Sequence, residues 1–274
     1  MTTIQALLRQ ALREDQARRD ITSRALLPAT RRIRARIIAK APGILAGSAI
    51  AAQTFRLLDP SLRCTRHLRD GAKLRPGQRI LTVRGRARSI FAAERTALNF
   101  LQHLCGIATL TRRYVERVKP YRATILDTRK TLPGLRALQK DAVRAGGGQN
   151  HRADLAEAIL IKTNHLKVLG SISRAVAAAK RARPRRFVEL EVTTLAECKA
   201  ALAAKPDAIL LDNWSLPSVR RAVALRIGKH PLLEVSGGIN LDNVRQFAKA
   251  GVDRISIGRL THSVHALDMS LQVT

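Results

Sequence analysis

Beyond residue 120 the chain alternates short apolar runs with stretches of helical spacing. The runs fall at 123–128, 158–162, 187–192, 208–213, 232–236 and 254–258, and each is rich in β-formers. Strands alternating with helices predict parallel βα units, and six of them in roughly 150 residues suggest a closed α/β barrel. An open doubly wound sheet ordinarily carries a Gly-rich dinucleotide turn after its first strand. Asp127-Thr128-Arg129-Lys130 is not such a turn.

The first hundred residues follow a different rhythm. Ile4, Leu7, Leu8, Ala11 and Leu12 have helical spacing over Met1–Asp15, and that helix ends near the Arg18-Arg19-Asp20 turn. Ile33, Ala35 and Ile37 then alternate with Arg34 and Arg36, which predicts a half-buried strand before Pro42-Gly43 and the apolar Ile44–Gly47. Helical spacing returns through about residue 58. Asp70-Gly71 and Pro76-Gly77 punctuate short strands at 63–68 and 79–84. Ser89–Val118 reads as a helical run interrupted near Gly106, with Leu98, Leu101 and Leu104 on its core face and Glu94 and Arg95 as a solvated pair. The expected fold is therefore α/β, with a small α+β domain over residues 1–105 and a barrel domain over 106–274 whose last residues can pack back on the first.

Charge changes this picture more than composition does. Fifty Lys and Arg against twenty Asp and Glu give a formal charge of +30. Such a field attracts phosphates, carboxylates and, without sequence preference, nucleic acid. Because the charge is spread along the sequence rather than held in a tail or stripe, a basic solvated surface is the simpler reading than a nucleic-acid partner. Aromatic residues make up only 3% of the chain, so stacking platforms for bases are scarce. Cys64, Cys105 and Cys198 are odd in number and far apart. They fit buried, reduced thiols rather than a disulfide framework or zinc site. No apolar run reaches the roughly 20 residues that span a bilayer, and the start lacks a secretory h-region. The reading is a cytoplasmic protein with no membrane partner.

Candidate chemistry sits at the strand ends. Run by run they finish in Asp127 and Arg129, Lys162, Glu191, Asp212-Asn213, Ser236-Gly237-Gly238 and Ser256-Ile257-Gly258. Five of only twenty acids, Asp127, Glu189, Glu191, Asp212 and Glu234, lie within these segments. One explanation is ion pairing with Lys162 inside the barrel, which suits Glu189 and Glu234 better than Glu191 and Asp212. Carboxylates at strand ends beside cations also suit Mg²⁺ carried by a phosphorylated substrate. Small residues at Ser236–Gly238 and Ser256–Gly258 let backbone N–H groups approach a phosphate, with Asn240 or Asp242 placed to cap a helix at about 241–250. Gly146-Gly147-Gly148 keeps a loop small ahead of His151 and Arg152, which join Arg129, Lys130 and Lys162 in one cationic unit. Arginine forks match carboxylates bidentately, so the implied guest is a dicarboxylate or a phosphate.

The ordered segments Glu94–Gln102, Gly106–Thr109, Asp127–Thr131, Pro133–Arg136, Gly146–Arg152, Leu160–His165, Leu211–Asn213, Ser236–Ile239 and Ser256–Ser263 resemble the quinolinate phosphoribosyltransferases almost end to end. The resemblance implies an incomplete α/β barrel of the type II phosphoribosyltransferase kind beside a smaller N-terminal α+β domain, usually as a homodimer with shared active sites. It implies transfer of the phosphoribosyl group of 5-phosphoribosyl 1-diphosphate to quinolinate with decarboxylation, in NAD biosynthesis. Position by position, Arg129, His151, Arg152 and Lys162 match the quinolinate cluster. Arg95 matches an arginine donated by the neighbouring subunit, and Lys130 a lysine near the reacting groups. Glu191 and Asp212 match acids associated with Mg²⁺ and the ribose, and Ser236, Gly237, Gly238, Gly258 and His262 match phosphate-side loops. Three features depart from the pattern: Thr163 stands where an acid is usual, Gln139-Lys140-Asp141 where Glu-Lys-Tyr is usual, and Arg19 where Gly is common.

Overall fold

Leu8 and Leu12, four residues apart, put one buried face on helix α1 (Ile4–Glu14) in the computed structural model, which describes residues 4–274. A short 3₁₀ turn (Ala17–Arg19) follows, and the Asp20 carboxylate accepts from the Ser23 N–H to cap α2 (Ile21–Leu26). The alternation at Ile33–Ile37 becomes strand β1 (Arg32–Ala39), with Ala35, Ile37 and Ala39 fully buried. Next come β2 (Gly43–Ile44), α3 (Ser48–Leu58), β3 (Arg63–Arg66), β4 (Lys73–Leu74) and β5 (Arg79–Arg86). β1 pairs antiparallel with β5, and β5 with β3. Phe55, Leu81, Val83, Ile90, Leu98 and Leu101 are among the side chains that fill the core beneath this sheet. Cys105 and Cys198 are buried thiols as expected, whereas Cys64, on the short β3, is only half-buried.

The expected break at Gly106 is absent, because α4 runs unbroken from Ala87 to Val118. Glycine serves packing there instead. A Cβ on Gly106 would lie 2.2 Å from the His265 carbonyl oxygen, so its bare backbone admits the returning C-terminal segment. That segment ends in a strand, Met269–Val273, which pairs antiparallel with β1 at the sheet edge, Ala39 opposite Met269 and Ala35 opposite Val273. One compact unit comprises residues 1–112, 132–147 and 264–274, and the other comprises 113–131 and 148–263.

Six parallel strands build the second unit: β6 (Thr124–Leu126), β7 (Ile159–Ile161), β8 (Val188–Val192), β9 (Ala208–Asp212), β10 (Leu232–Ser236) and β11 (Arg254–Ser256). Every β8 residue is buried, as expected for a strand covered on both sides. Neighbours run in the order β6, β11, β10, β9, β8, β7. Ladder pairing is thus missing only between the first and second strands of the series, where a single bridge joins Leu126 to Gln149. The barrel is incomplete at that gap. After β6 and α5 (Arg136–Ala145), the helices α6 (Thr163–Leu169), α7 (Ile172–Ala182), α8 (Leu195–Ala204), α9 (Leu216–Leu225), α10 (Val244–Lys249) and α11 (Arg259–His262) alternate with the strands. α10 starts later than its sequence pattern suggests. Asn240 organises the turn before it, accepting from the Asp242 and Asn243 N–H groups, and Asp242 does not cap.

Candidate active site

The carboxyl ends of β6 to β11 gather most of the residues that the sequence singles out. At the end of β6, Asp127 is fully buried and its Oδ1 accepts the His151 backbone N–H at 2.9 Å. That bond fixes the segment after the glycine run. The His151 ring turns inward, with Nε2 2.7 Å from Glu189 Oε2 and 3.7 Å from Glu234 Oε1. Arg254 Nε lies 3.2 Å from Glu234 Oε2, and the Ser256 hydroxyl donates to Glu234 Oε1.

Lys162 therefore does not neutralise Glu189 and Glu234. A three-residue β7 ends before the side chain of Lys162 can turn inward, and Lys162 is exposed; His151 and Arg254 hold the two acids instead. Burial pushes both carboxyls up, Glu234 to about 7, with the neighbouring Glu189 adding to the effect. His151, Glu189 and Glu234 offer atoms within 4.8 Å of one another, a spacing that could ligate a metal. Arg254 and the His151 ring already engage the two acids there, so a metal would have to displace one of those contacts.

Glu191 and Asp212 form a separate set. Glu191, on β8 just past the Glu189 level, accepts both the Thr163 N–H at 3.2 Å and the Thr163 hydroxyl at 2.9 Å on Oε1. Its other oxygen lies 3.8 Å from Lys162 Nζ. Thr163 thus anchors this acid rather than leaving a gap beside the lysine. Asp212 ends the neighbouring β9, half-buried, and accepts from the Asn213 side chain. As donors, two carboxylates on adjacent strands suit the all-oxygen ligation of Mg²⁺ better than the histidine-bearing cluster does.

Loss of water lowers the basicity of Arg152, and the nearby charge of Arg129 lowers it further. Arg152 also donates to the Ala158 carbonyl at 3.1 Å, which fixes its direction. Two neighbouring guanidinium groups suit an anion. Lys130 is exposed, and its carbonyl accepts from the Thr261 hydroxyl at 2.7 Å.

The phosphate-side loops are shaped by close approach. Gly237 has φ +89°, and a Cβ there would lie 2.1 Å from Asn213 Oδ1. Asn213 is itself left-handed (φ 58°), and its N–H donates to the Ser236 carbonyl, so the ends of β9 and β10 form one tight corner. Gly238, also at positive φ, has open space where a side chain would be. A Cβ on Gly258 would lie 3.0 Å from His262 Nε2 and 3.1 Å from Lys130 Cδ, which brings Gly258, His262 and Lys130 together.

Arg95 is exposed on α4 and belongs to the first unit, whereas the β6–β11 strand ends belong to the second. Its neighbour Glu94 is not the freely solvated partner expected, since partial burial pushes its carboxyl up. Gln139 is fully buried in the same unit as Arg95. Its Oε1 accepts from the Leu132 N–H at 2.9 Å, and its Nε2 meets His103 Nε2 at 2.8 Å. Sequence reasoning missed the Glu189–His151–Glu234–Arg254 network because its partners come from four strands or loops. The period-two placement of Glu189 and Glu234 was the available signal.

Comparison with known proteins agrees with this fold. Residues 20–105 match the N-terminal domain, and residues 107–272 the C-terminal domain, of quinolinate phosphoribosyl transferase. The nicotinate-nucleotide pyrophosphorylase [carboxylating] of Mycobacterium leprae is 43% identical, covering 97% of this chain and 95% of its own length. A probable nicotinate-nucleotide pyrophosphorylase [carboxylating] of Bacillus subtilis is 41% identical over 99% of this chain and 93% of its own. Among solved structures, the nicotinate-nucleotide pyrophosphorylase from Francisella tularensis superposes with a TM-score of 0.93 at 42% identity, covering 99% of this chain and 96% of the other. The chain belongs to the quinolinate phosphoribosyltransferase family.

Proposed function

We propose that this protein transfers the phosphoribosyl group of 5-phosphoribosyl 1-diphosphate to quinolinate and decarboxylates the product, giving nicotinate mononucleotide, pyrophosphate and CO₂ for NAD biosynthesis. The observation that carries this reading is the arginine pair beyond the barrel strands: Arg152 is directed by its hydrogen bond to the Ala158 carbonyl, and Arg129, just past β6, lies near enough to lower its basicity. Two such forks suit the adjacent carboxylates of a pyridine-2,3-dicarboxylate, and Lys162 supplies further positive charge. His151, held between Glu189 and Glu234, orients the floor of that pocket.

In the first step the pyridine nitrogen bonds to the anomeric carbon of the ribose while the bond from that carbon to the pyrophosphate oxygen breaks, and pyrophosphate leaves with the electron pair. Positive charge builds on the ribose ring as this happens. Glu191 and Asp212, on adjacent strand ends, are the anions that stabilise it and position the sugar. They are also the residues that would hold Mg²⁺, which when bound would neutralise charge on the pyrophosphate. Small backbone at Ser236, Gly237, Gly238 and Gly258, with His262 and Lys130 beside it, receives the phosphate groups. In the second step the glycosylated pyridinium withdraws the electron pair released when the carboxylate next to the nitrogen leaves as CO₂, and a proton then fills that ring position. No nucleophilic side chain is needed.

A homodimer in which Arg95 reaches the partner's substrate completes the cationic pocket in this reading. The test is a set of single variants assayed for quinolinate-dependent CO₂ release. Arg129→Ala and Arg152→Ala each raise the quinolinate KM at least tenfold, and Glu191→Ala lowers kcat by about a hundredfold, as removal of a group acting in the transition state does. Unchanged turnover in Glu191→Ala would remove the electrostatic role assigned to it.

A further inference from the structure

Folding collects charge that the sequence disperses. Alternation along β1 sends Arg32, Arg34 and Arg36 to the face opposite the buried Ala35 and Ile37. Register places Arg32 opposite Arg86 and Arg34 opposite Arg84 on β5, and Arg84 in turn opposite Arg63 on β3. Arg79 is opposite Ile38 on the same side. Seven arginines therefore share the outer face of one sheet, and none of its four strands contains an acid or an aromatic residue. Among the described residues only Arg86 of the seven is compensated, by Asp59 at 3.0 Å. Like charges directly opposite one another across a sheet are destabilising, so this row carries a standing repulsion.

The groups are also partly ordered. Arg34 and Arg36 are half-buried, and the Nε of each is shielded from solvent without a hydrogen-bond partner. Arg84, Arg36 and Arg79 all lower the basicity of Arg34, Arg84 most strongly. His67, bonded to Thr82 at 2.8 Å on the same face, is held neutral mainly by loss of water and further by Arg79, Arg34 and Arg36. Arginines lined up by strand register, with two of their Nε atoms shielded from solvent, lose less freedom on meeting a row of anions than scattered surface lysines do.

We propose that this arginine face binds double-stranded DNA through its phosphates, without sequence preference. Charge complementarity selects a polyanion, and six uncompensated cations match several phosphates at once. The absence of aromatic side chains from these strands disfavours a single strand, which is normally held by base stacking. A second copy of this chain, also at +30, would be repelled there.

The test is fluorescence anisotropy of a random-sequence 20-base-pair DNA duplex against the full chain between 50 and 200 mM salt. A triple variant, Arg34→Gln with Arg36→Gln and Arg84→Gln, should weaken binding at least tenfold and reduce the slope of log K against log salt by about 2.7, or 0.9 for each phosphate no longer neutralised. Arg181→Gln with Arg183→Gln and Arg185→Gln removes equal charge from an exposed stretch elsewhere and should change the slope by less than 1. Equal effects of the two triple variants would overturn the proposal, as would tighter binding of the matching single strand or of anionic phosphatidylserine vesicles. Arginine modification of the unaltered protein by phenylglyoxal, read by mass spectrometry, gives a second measurement. Duplex should protect Arg34, Arg36 and Arg84 more than Arg181 and Arg183, and uniform protection would contradict the assignment.

Discussion

Thr163 carries more of the site than its identity suggests. Its N–H and hydroxyl both donate to the same oxygen of Glu191, and a hydrogen bond to a charged group contributes about 1.5–3 kcal/mol. Thr163→Val keeps the shape and removes one donor, so kcat/KM for phosphoribosyl transfer should fall about tenfold, while Thr163→Ser should retain most of it. Steady-state pyrophosphate release measures both. Glu234 gives a second prediction. Its folded carboxyl is raised to about 7, above the ordinary carboxylate range, so between roughly pH 4.5 and 7 the folded state binds more protons than the unfolded chain. Stability contributed by this group is present at low pH and is lost as pH rises through 7. Glu234→Gln removes the dependence, so the difference in melting temperature between pH 5 and pH 8 should shrink in the variant. An unchanged difference would show that the acid titrates normally. Asp127, Glu189 and Glu234 were legible as strand-borne acids from their spacing, but the identity of their partners was not, because Arg254 and His151 are distant in sequence and meet them only through the order of the barrel strands.

At the scale of elements, the six barrel strands were legible to within two residues at each end, since short buried parallel strands are continuous apolar runs bounded by turns. β1 and α3 were legible for the complementary reason, a clear period of two or of 3.6, and β5 from the Pro76-Gly77 turn before it. Two elements resisted. The Met269–Val273 strand is five residues long and gains its stability from pairing with β1, more than 200 positions away in sequence, so no local pattern marks it. Gly106 reads as a helix breaker by propensity, yet tertiary packing overrides a cost of about 1 kcal/mol and keeps α4 continuous. Gly106→Ala should therefore destabilise rather than stabilise the helix, by about 1–3 kcal/mol, as overpacking against backbone does. Urea unfolding followed by circular dichroism decides the sign. Gly237→Ala meets both a positive φ and the Asn213 side chain, and steady-state kinetics should show a raised KM for 5-phosphoribosyl 1-diphosphate with a smaller effect on quinolinate.

For the whole molecule, the excess of thirty positive charges serves two surfaces that differ in kind. At the barrel strand ends, cations alternate with buried acids, and each group has a neighbour that fixes its direction. Across the β1–β5 sheet the cations stand together without acids, an arrangement that the linear sequence disguises because alternate positions point to opposite faces. No helix among the described residues is long and apolar enough to cross a membrane. Release of pyrophosphate from 5-phosphoribosyl 1-diphosphate with Mg²⁺, measured with quinolinate and nicotinate supplied in parallel, decides the reaction. Turnover with quinolinate and none with nicotinate is the predicted result; turnover with nicotinate, or with neither in the folded protein, would contradict it.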